Sequence, residues 1–392
     1  MNKKFTDLIL INPSVPLVKG KKYPFVEMAS VSTTNRIPDH IDERMLSGGV
    51  RFQAGDTVIA RIEPCLQNGK KFYCKDIVEG FGSTEFIVFR PKNGAVDNVF
   101  LYYYMQLHNV RERMIQSMTG ATGRQRVNPD IFKDIFIDLP SIEVQKKIGC
   151  ILSKFDDLIE NNQKQMILLE ETAHRLYKEW FVYLRFPGYK DVDIIDGVPT
   201  GWKRCTLEDV IDFNPKVTLN KARIKQCVPM SALSTSSMVL DETEFTLTAS
   251  NSGSKFQNGD TLLARITPCL ENGKTGFVDG IVSQEGAVGS TEFIVMRSKL
   301  LNPYMVYLLS RTEDFRETAI KSMTGSDGRQ RAQVDKLKSY DYFLPPVNIV
   351  SSFSEIAEPV FSAISVCNKK CIRLAEARDR LLPKLMSGEI EL

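Results

Sequence analysis

Two kinds of hydrophobic pattern alternate along this chain, and each occurs twice. In the first kind, short apolar and β-branched runs such as "DTVIARI" (56–62) and "TEFIVFR" (84–90) are bounded by Gly, Pro and Asn. That is the signature of short strands joined by turns. The stretches "NVFLYYYMQLHNVRERMIQSM" (98–118) and "NPYMVYLLSRTEDFRETAIKSM" (302–323) read instead as one helix each, ending near the "TG" that follows. Each front part is therefore expected to be an α+β domain.

The second kind of pattern begins after Leu139-Pro140 and again after Leu344-Pro345, where proline ends one element and admits a helix. Ile148, Phe155, Asn162, Leu169 and Leu176 recur every seven residues, with Leu152, Ile159, Met166, Ala173 and Trp180 as the companion row. Phe353, Val360, Cys367, Leu374 and Leu381, accompanied by Ala357, Ile364, Cys371, Arg378 and Leu385, repeat the arrangement. Sustained heptads predict coiled-coil helices, about 60 Å long at 1.5 Å per residue. Two of them in one chain can pair antiparallel, with a globular domain at either end about a pseudo-twofold axis. Asn162 in the seam is a candidate register device, with Cys367 opposite it in the overlay.

The repetition extends to the letters. "GDTVIARIEPCLQNGK" (55–70) and "GDTLLARITPCLENGK" (259–274) agree at twelve of sixteen positions. "GSTEFIVFR" (82–90) returns as "GSTEFIVMR" (289–297), and "SMTGATGRQR" (117–126) as "SMTGSDGRQR" (322–331). A weaker echo links "DLILINP" (7–13) with "DVIDFNP" (209–215). The chain is two copies of one unit. The boundaries expected are 1–140 for the first domain and 141–184 for the first helix. Residues 185–345 form a linker and second domain, and 346–392 the second helix and tail.

Composition narrows the function without naming it. At 392 residues with 43% hydrophobic and 25% charged, this is ordinary globular material. No stretch of about eighteen uncharged apolar residues exists and the N-terminal apolar run is too short for a signal peptide, so a cytoplasmic protein without a membrane partner is expected. The eight cysteines form no C-x-x-C pair and only three histidines accompany them, so no metal site is expected. Cys65 and Cys269 fall in the repeated segment without a matching histidine, and are expected as small buried apolar groups.

Tests for catalysis fail in turn. "ENGKT" ends like a phosphate-binding loop, but Pro268 stands where the first glycine belongs. "DFNPKV" and "LINPSV" miss the Asn-Pro-Pro-aromatic core of amino-methyltransferases. Glu85 and Glu292 sit in Ser/Thr/Glu turns that suit backbone hydrogen bonding better than proton transfer. No catalytic residue is assigned.

Twin modules on a rod suit an extended, repeating ligand, and duplex DNA is the first candidate. The candidate DNA-binding residues are Arg61, Lys70, Arg124 and Arg126 in one copy, with Arg265, Lys274, Arg329 and Arg331 in the other. Beside Gly and Asn turns these can reach phosphates or guanine edges. A net charge of +3 does not argue for nucleic acid by itself. Repeated residues should build the shared scaffold. Direct readout is therefore expected where the copies diverge: Asn35–Val50 against Ser236–Ser252, and Lys71–Phe81 against Thr275–Val288.

Two variable domains, each followed by "LP" and a long helix, with Gln145 near the start of the first, resemble the specificity subunit of a type I restriction-modification enzyme. So do the helix ends "RLYKEWFVYLRFPG" and "RDRLLPKLMSGEIEL", and the stretch "VPTGWKRCTLEDV" (198–210) at the entrance to the second domain. The second helix, opening "PVNIVSSF", lacks the customary glutamine. The resemblance implies an α+β fold of two similar target-recognition domains separated by two long helices in an antiparallel coiled coil. It implies a non-catalytic subunit reading a bipartite double-stranded DNA site, one half per domain.

Two methyltransferase subunits and motor/nuclease subunits would be its partners, docking on the seam that includes Ile148, Phe155, Leu169, Leu176, Val360, Leu374 and Leu381. S-adenosylmethionine and ATP with Mg would belong to those partners, and this chain would bind no cofactor. The alternative is a two-domain protein-binding scaffold without DNA specificity.

Overall fold

A computed structural model describes residues 3–92, 94–220, 223–283, 285–326 and 328–392. The chain forms two compact units. The first comprises 1–162 with 370–392, and the second 163–369.

In the first unit the strand-like runs become β1 (Ile9–Ile11), β2 (Lys22–Val26), β3 (Asp42–Met45), β4 (Val50–Gln53), β5 (Thr57–Ala60), β6 (Lys71–Tyr73), β7 (Glu79–Gly82) and β8 (Phe86–Pro91). They build two four-stranded sheets, ordered β1-β8-β5-β6 and β3-β2-β7-β4. Two short helices follow, α1 (Asn98–Tyr104) and α2 (His108–Gln116), and then the long α3 (Ile142–Tyr177).

The second unit repeats this plan. Its strands are β9 (Ile211–Phe213), β10 (Lys225–Val228), β11 (Thr246–Thr248), β12 (Ser254–Phe256), β13 (Thr261–Ala264), β14 (Thr275–Phe277), β15 (Ala287–Gly289) and β16 (Phe293–Ser298). The sheets run β9-β16-β13-β14 and β11-β10-β15-β12, the same order strand for strand. Then come α4 (Pro303–Ser310), α5 (Glu313–Lys321) and the long α6 (Val347–Ser387). Each domain is closed by a short antiparallel pair joining its ends: Lys3–Lys4 with Phe136–Ile137, and Lys203–Thr206 with Asp341–Leu344.

The central strands β5, β8, β13 and β16 are buried on both faces, which is why they read as continuous apolar runs. Asp56 and Asp260, from the repeated "GDT", are fully buried there. Each is gripped two-pronged by the arginine that ends the repeated "FIVFR" or "FIVMR": Arg90 at 2.6 and 2.7 Å, Arg297 at 2.7 and 2.6 Å. The matching letters at these places thus encode a buried ion pair that ties a turn to a strand.

Two expectations need correction. The stretches 98–118 and 302–323 are each two helices. α1 and α4 are buried almost all round (Phe100–Tyr103; Met305–Ser310), whereas α2 and α5 bury one side only (Val110 and Met114; Phe315 and Ala319). A single straight helix cannot do both, and the chain turns through extended residues Leu107 and Thr312. In the second copy Thr312 followed by Glu313 and Asp314 is a helix-start signal that the apolar pattern masks.

The heptad seam also drifts. Ile148 and Asn162 are buried as expected, and so is the companion row at Leu152, Ile159, Ala173 and Trp180. Phe155, Leu169 and Leu176 are only half-buried, and their neighbours Asp156, Glu170 and Tyr177 take the inner position. In α6, Val360, Leu374 and Leu381 likewise lie half-buried, while Phe361 and Leu382 beside two of them are buried. A helix turns 3.6 residues at a time, so a seven-residue row rotates away from any fixed neighbour. These helices face a sheet domain as well as each other.

Asn162 does not serve as the expected register device through its amide. Its side chain donates to the Leu158 carbonyl of its own helix at 2.7 Å.

Within each unit the helix segments run antiparallel. In the first, Ile148 and Leu152 share a core with Leu382 and Leu385, Asp156 meets Arg378, and Cys371 meets the Ile159 carbonyl. In the second, Gln165 meets Cys367, and Tyr177 and Trp180 pack on Phe353 with ring centroids 6.0 and 5.7 Å apart. The "YKEWFVYLRF" ending of the first helix is aromatic for that reason. Phe181 and Phe186 go on to pack against Trp202 of the "PTGW" stretch, at 6.2 and 5.3 Å.

α6 contains an eighteen-residue window of mean hydropathy 1.3, apolar enough by length and composition to cross a membrane. Its Phe353, Ala357, Phe361 and Ile364 are committed to the core of the second unit.

Candidate nucleic-acid interface

Three repeated segments meet at one place in each domain. In the first unit the Arg61 amide donates to the Glu85 carbonyl at 2.8 Å, and the Val127 amide to the Arg61 carbonyl at 2.9 Å. The "SMTGATGRQR" segment folds back on itself through reciprocal bonds between Thr119 and Arg126 (3.0 and 2.9 Å). The Glu63 amide fastens it by donating to the Gln125 carbonyl at 3.0 Å.

The second unit repeats each bond. Arg265 donates to Glu292 (2.9 Å), Ala332 to Arg265 (2.8 Å) and Thr267 to Gln330 (3.0 Å), with Thr324 and Arg331 exchanging 3.1 and 2.9 Å bonds. Gly120 and Gly325 make the reversal possible. Their φ angles are +123° and +133°, and a Cβ on Gly325 would come within 3.0 Å of the Arg329 carbonyl.

Side chains then sort the eight candidates into four pairs. Arg126 and Arg331 clamp Glu85 and Glu292, each with its Nη2 at 2.7 Å from the carboxylate. The hydrogen bond from Arg331 holds the Glu292 carboxyl below its ordinary range, and the nearby Arg265 adds to this against partial burial. Ser83 and Ser290 accept the amides of these glutamates at 3.2 Å, so the turns are structural, as their composition suggested. Lys70 and Lys274 donate to the Met28 and Met230 carbonyls at 2.9 and 3.0 Å.

Arg61 lies 4.0 Å from Glu85 with part of its side chain in solvent. Its Nε and that of Arg265 are shielded without an acceptor. Arg124 and Arg329, at the loop tips, are exposed, and neither side chain has a partner among the described residues. Asp327, in the second loop, lies outside the described residues. Cys65 and Cys269 are half-buried, not fully buried as expected. They occupy a surface turn whose Cys65 and Cys269 carbonyls accept the Lys70 and Lys274 amides.

Beside this braid the second unit has a polar groove of about 600 Å3 whose walls include Asn214, Lys216, Asn251, Lys255, Arg265 and Thr291. Asn214 holds φ +51°, its side-chain oxygen accepting the Val295 amide at 3.0 Å, and Asn12 does the same with Val88. Lys255 was not singled out from the sequence. The available signal was the pair "RFQAGD" and "KFQNGD", which puts Arg51 and Lys255 at equivalent places.

The divergent segments are not uniformly turned to this groove. Asn251 is there, but Arg36 in the first unit is buried against α3, bonding Asp157 at 2.6 Å and Glu160 at 2.9 Å. Lys75 joins the same two carboxylates at 2.9 and 3.1 Å. Met238 in the second unit donates to Glu170 at 3.0 Å. Part of the divergence between copies therefore follows from the different helix residues each domain meets. Gln284 lies outside the described residues.

Residues 13–171 match the family described as type I restriction modification DNA specificity domain. The chain is 26% identical over 324 residues to the type I restriction enzyme MjaIX specificity subunit of Methanocaldococcus jannaschii, covering 77% of this chain and 71% of that one. It is 22% identical over 326 residues to the MjaVIII specificity subunit of the same organism, covering 80% and 75%. A crystal structure of a type I restriction-modification S subunit from M. genitalium matches at TM-score 0.55 and 12% identity, covering 98% of this chain and 96% of that one, which supports the fold. Residues 13–171 thus carry the likeness to that family's domain, and about three quarters of the chain is similar to proteins named as type I restriction enzyme specificity subunits.

Proposed function

We propose that each unit reads one half of a bipartite DNA site, the long helices setting the unread gap and docking methyltransferase subunits. The observation that carries this reading is the duplicated braid: two domains of identical strand order, each presenting the same arginine-tipped loop next to Arg61 or Arg265. In this reading Arg126 and Arg331 shape the loop and Arg124 and Arg329 reach phosphates. Lys255, Asn251 and Arg265 line the groove that faces base edges in the second unit.

The helices also keep apolar side chains in solvent. Leu158, Ile167 and Leu168 on α3, with Ile356 and Val366 on α6, are 46–62% exposed. Such residues suit a helical partner. Catalytic cofactors, S-adenosylmethionine and ATP with Mg, would be held by the partner subunits.

The test is the methylation pattern of DNA from cells that express this chain with a type I methyltransferase subunit, read by modification-sensitive sequencing. A new two-part motif with a fixed gap is expected. Association of the two proteins with no new motif would contradict the reading. Arg124→Ala and Arg329→Ala should each lower the slope of log affinity against log salt by about one, without moving the melting temperature.

A further inference from the structure

In the first unit a cavity of about 330 Å3 lies between the turn that leads into β6, the start of α2 and the last turns of α6. At roughly 30 Å3 per water it has room for several waters or a tetrahedral anion with its hydration. Cations reach it from three elements: Lys71 from the start of β6, Arg111 from α2 and Arg378 from α6, with His108 beside them. One carboxylate lines it, Asp379, and Arg378 already holds that group at 2.9 Å while also pairing with Asp156.

Lys71 and Arg111 are therefore in surplus. Among the described residues the Lys71 amine donates only to the carbonyls of Thr33 and Gly69, at 3.3 and 3.4 Å. The Arg111 Nε is shielded from water and has no acceptor among the described residues. Burial, followed by the fields of Arg378 and Arg111, pushes the Lys71 amine down to about 8 against the pull of Asp379. A cation in this condition gains from any anion that enters.

The second unit shows that the surplus is not needed to hold the fold. There the matching carbonyls, Thr235 and Gly273, are bridged by Arg311 at 3.0 and 2.8 Å, and Gly273 also accepts the Thr275 hydroxyl at 3.3 Å. A buried Thr275 stands where Lys71 does, and Arg316, the counterpart of Arg111, shares its shielded Nε but donates from its Nη2 to the Glu271 carbonyl at 3.2 Å.

We propose that the first-unit cavity is a binding site for a phosphate-class oxyanion, with Lys71 and Arg111 as its ligands. The inference is independent of how the units read DNA, since the cavity is walled in part by α6 and the duplicated loop takes no part in it. The anion is either a free phosphate, including that of a nucleotide, or a phosphate of a nucleic-acid backbone.

The test is the rate of reductive methylation of Lys71 in the unmodified full chain, mapped by mass spectrometry at constant pH and ionic strength. Only the neutral amine reacts, so an anion that raises its pKa by one unit slows the reaction about tenfold. Inorganic phosphate is expected to slow it relative to chloride, with a non-specific duplex as the second probe. Slowing by phosphate and duplex alike identifies a backbone phosphate, and slowing by phosphate but not duplex identifies a free one. Equal rates in phosphate and chloride overturn the site, as does slowing by duplex alone, which would mean that DNA covers the amine. Arg111→Gln should abolish the phosphate effect while leaving the chloride rate within about twofold. If the effect persists in that variant, Arg111 is not a ligand and the proposed site is wrong.

Discussion

The two domains seat their innermost tyrosines by different means. Tyr103 of α1 donates to buried Asp156 on α3, the helix that follows its own domain, and Arg378 of α6 pairs with the same carboxylate. Tyr307, at the equivalent place in α4, donates to buried Glu170, which also lies on α3 but precedes the second domain in the chain. At the position matching Asp156 the second repeat has Phe361, whose ring meets Tyr307 edge-on at 6.2 Å. Beside Glu170 stands His174 at 3.9 Å, and among the described residues no arginine forms an ion pair with that carboxylate, Arg311 acting on it only through its field.

The comparison teaches what duplication must preserve. A buried tyrosine hydroxyl needs an acceptor, and either helix can supply it. What differs is the compensation of the charge. In the first unit a buried carboxylate is matched by a buried guanidinium, held charged against burial by Asp156 and Asp379. In the second the carboxylate is held by hydrogen bonds from Tyr307 and the Met238 amide, with His174 nearby.

The largest effect expected from breaking this contrast is that of Asp156→Asn. It leaves buried Arg378 with the Thr34 carbonyl and the mostly exposed Asp379 as its partners, at a cost of about 3–5 kcal/mol to the first unit. Both tryptophans, Trp180 and Trp202, lie in the second unit, so their fluorescence reports that unit alone. The denaturation midpoint from far-UV circular dichroism should fall while the fluorescence midpoint holds. Midpoints that both stay at the wild-type value would remove the first-unit ion pair from the account.

Tyr307→Phe comes next. Loss of one donor to a buried carboxylate costs about 1–3 kcal/mol, now in the fluorescence midpoint. An unchanged midpoint would show that the carboxylate finds another donor.

Glu170→Gln should be the mildest, about 1 kcal/mol or less at neutral pH, because no cation is orphaned. A loss as large as that of Asp156→Asn would erase the distinction between the two seats. The same variant sharpens the pH dependence. Burial raises the Glu170 pKa, but the neighbouring His174, the bonds from Tyr307 and the Met238 amide and the field of Arg311 outweigh it, leaving the folded value below the ordinary 4.5. Its contribution is therefore present above pH 4.5 and is lost as pH falls through the lower folded value. Fluorescence-monitored stability should drop over that acid range in the wild type and less steeply in Glu170→Gln.

Much of the candidate interface could be read in the letters, because the same segments recur twice and recurrence marks what the fold must keep. Arg61, Arg124 and Arg126 do gather in one braid with Glu85, as do their counterparts. Their division of labour could not be read. Nothing in "GRQR" says that Arg126 will clamp Glu85 forty-one residues away while Arg124 stays in solvent. Lys255 escaped notice because its repeat partner Arg51 marks only a shared basic position, and the groove that gives it a role exists only in the folded domain.

By itself the sequence determined the duplication, the strands of each domain and the presence of two long helices. These follow from periodicity and repetition, which are local or are visible by aligning the chain with itself. Only the tertiary structure decided where α1 breaks from α2 and α4 from α5, and which helix residues turn inward. Phe155 and Leu169 are the better hydrophobic candidates, yet Asp156 and Glu170 are the buried ones. A side chain's burial is settled by the partner it meets. Here the partners are tyrosine hydroxyls more than fifty residues away, which no local pattern can see.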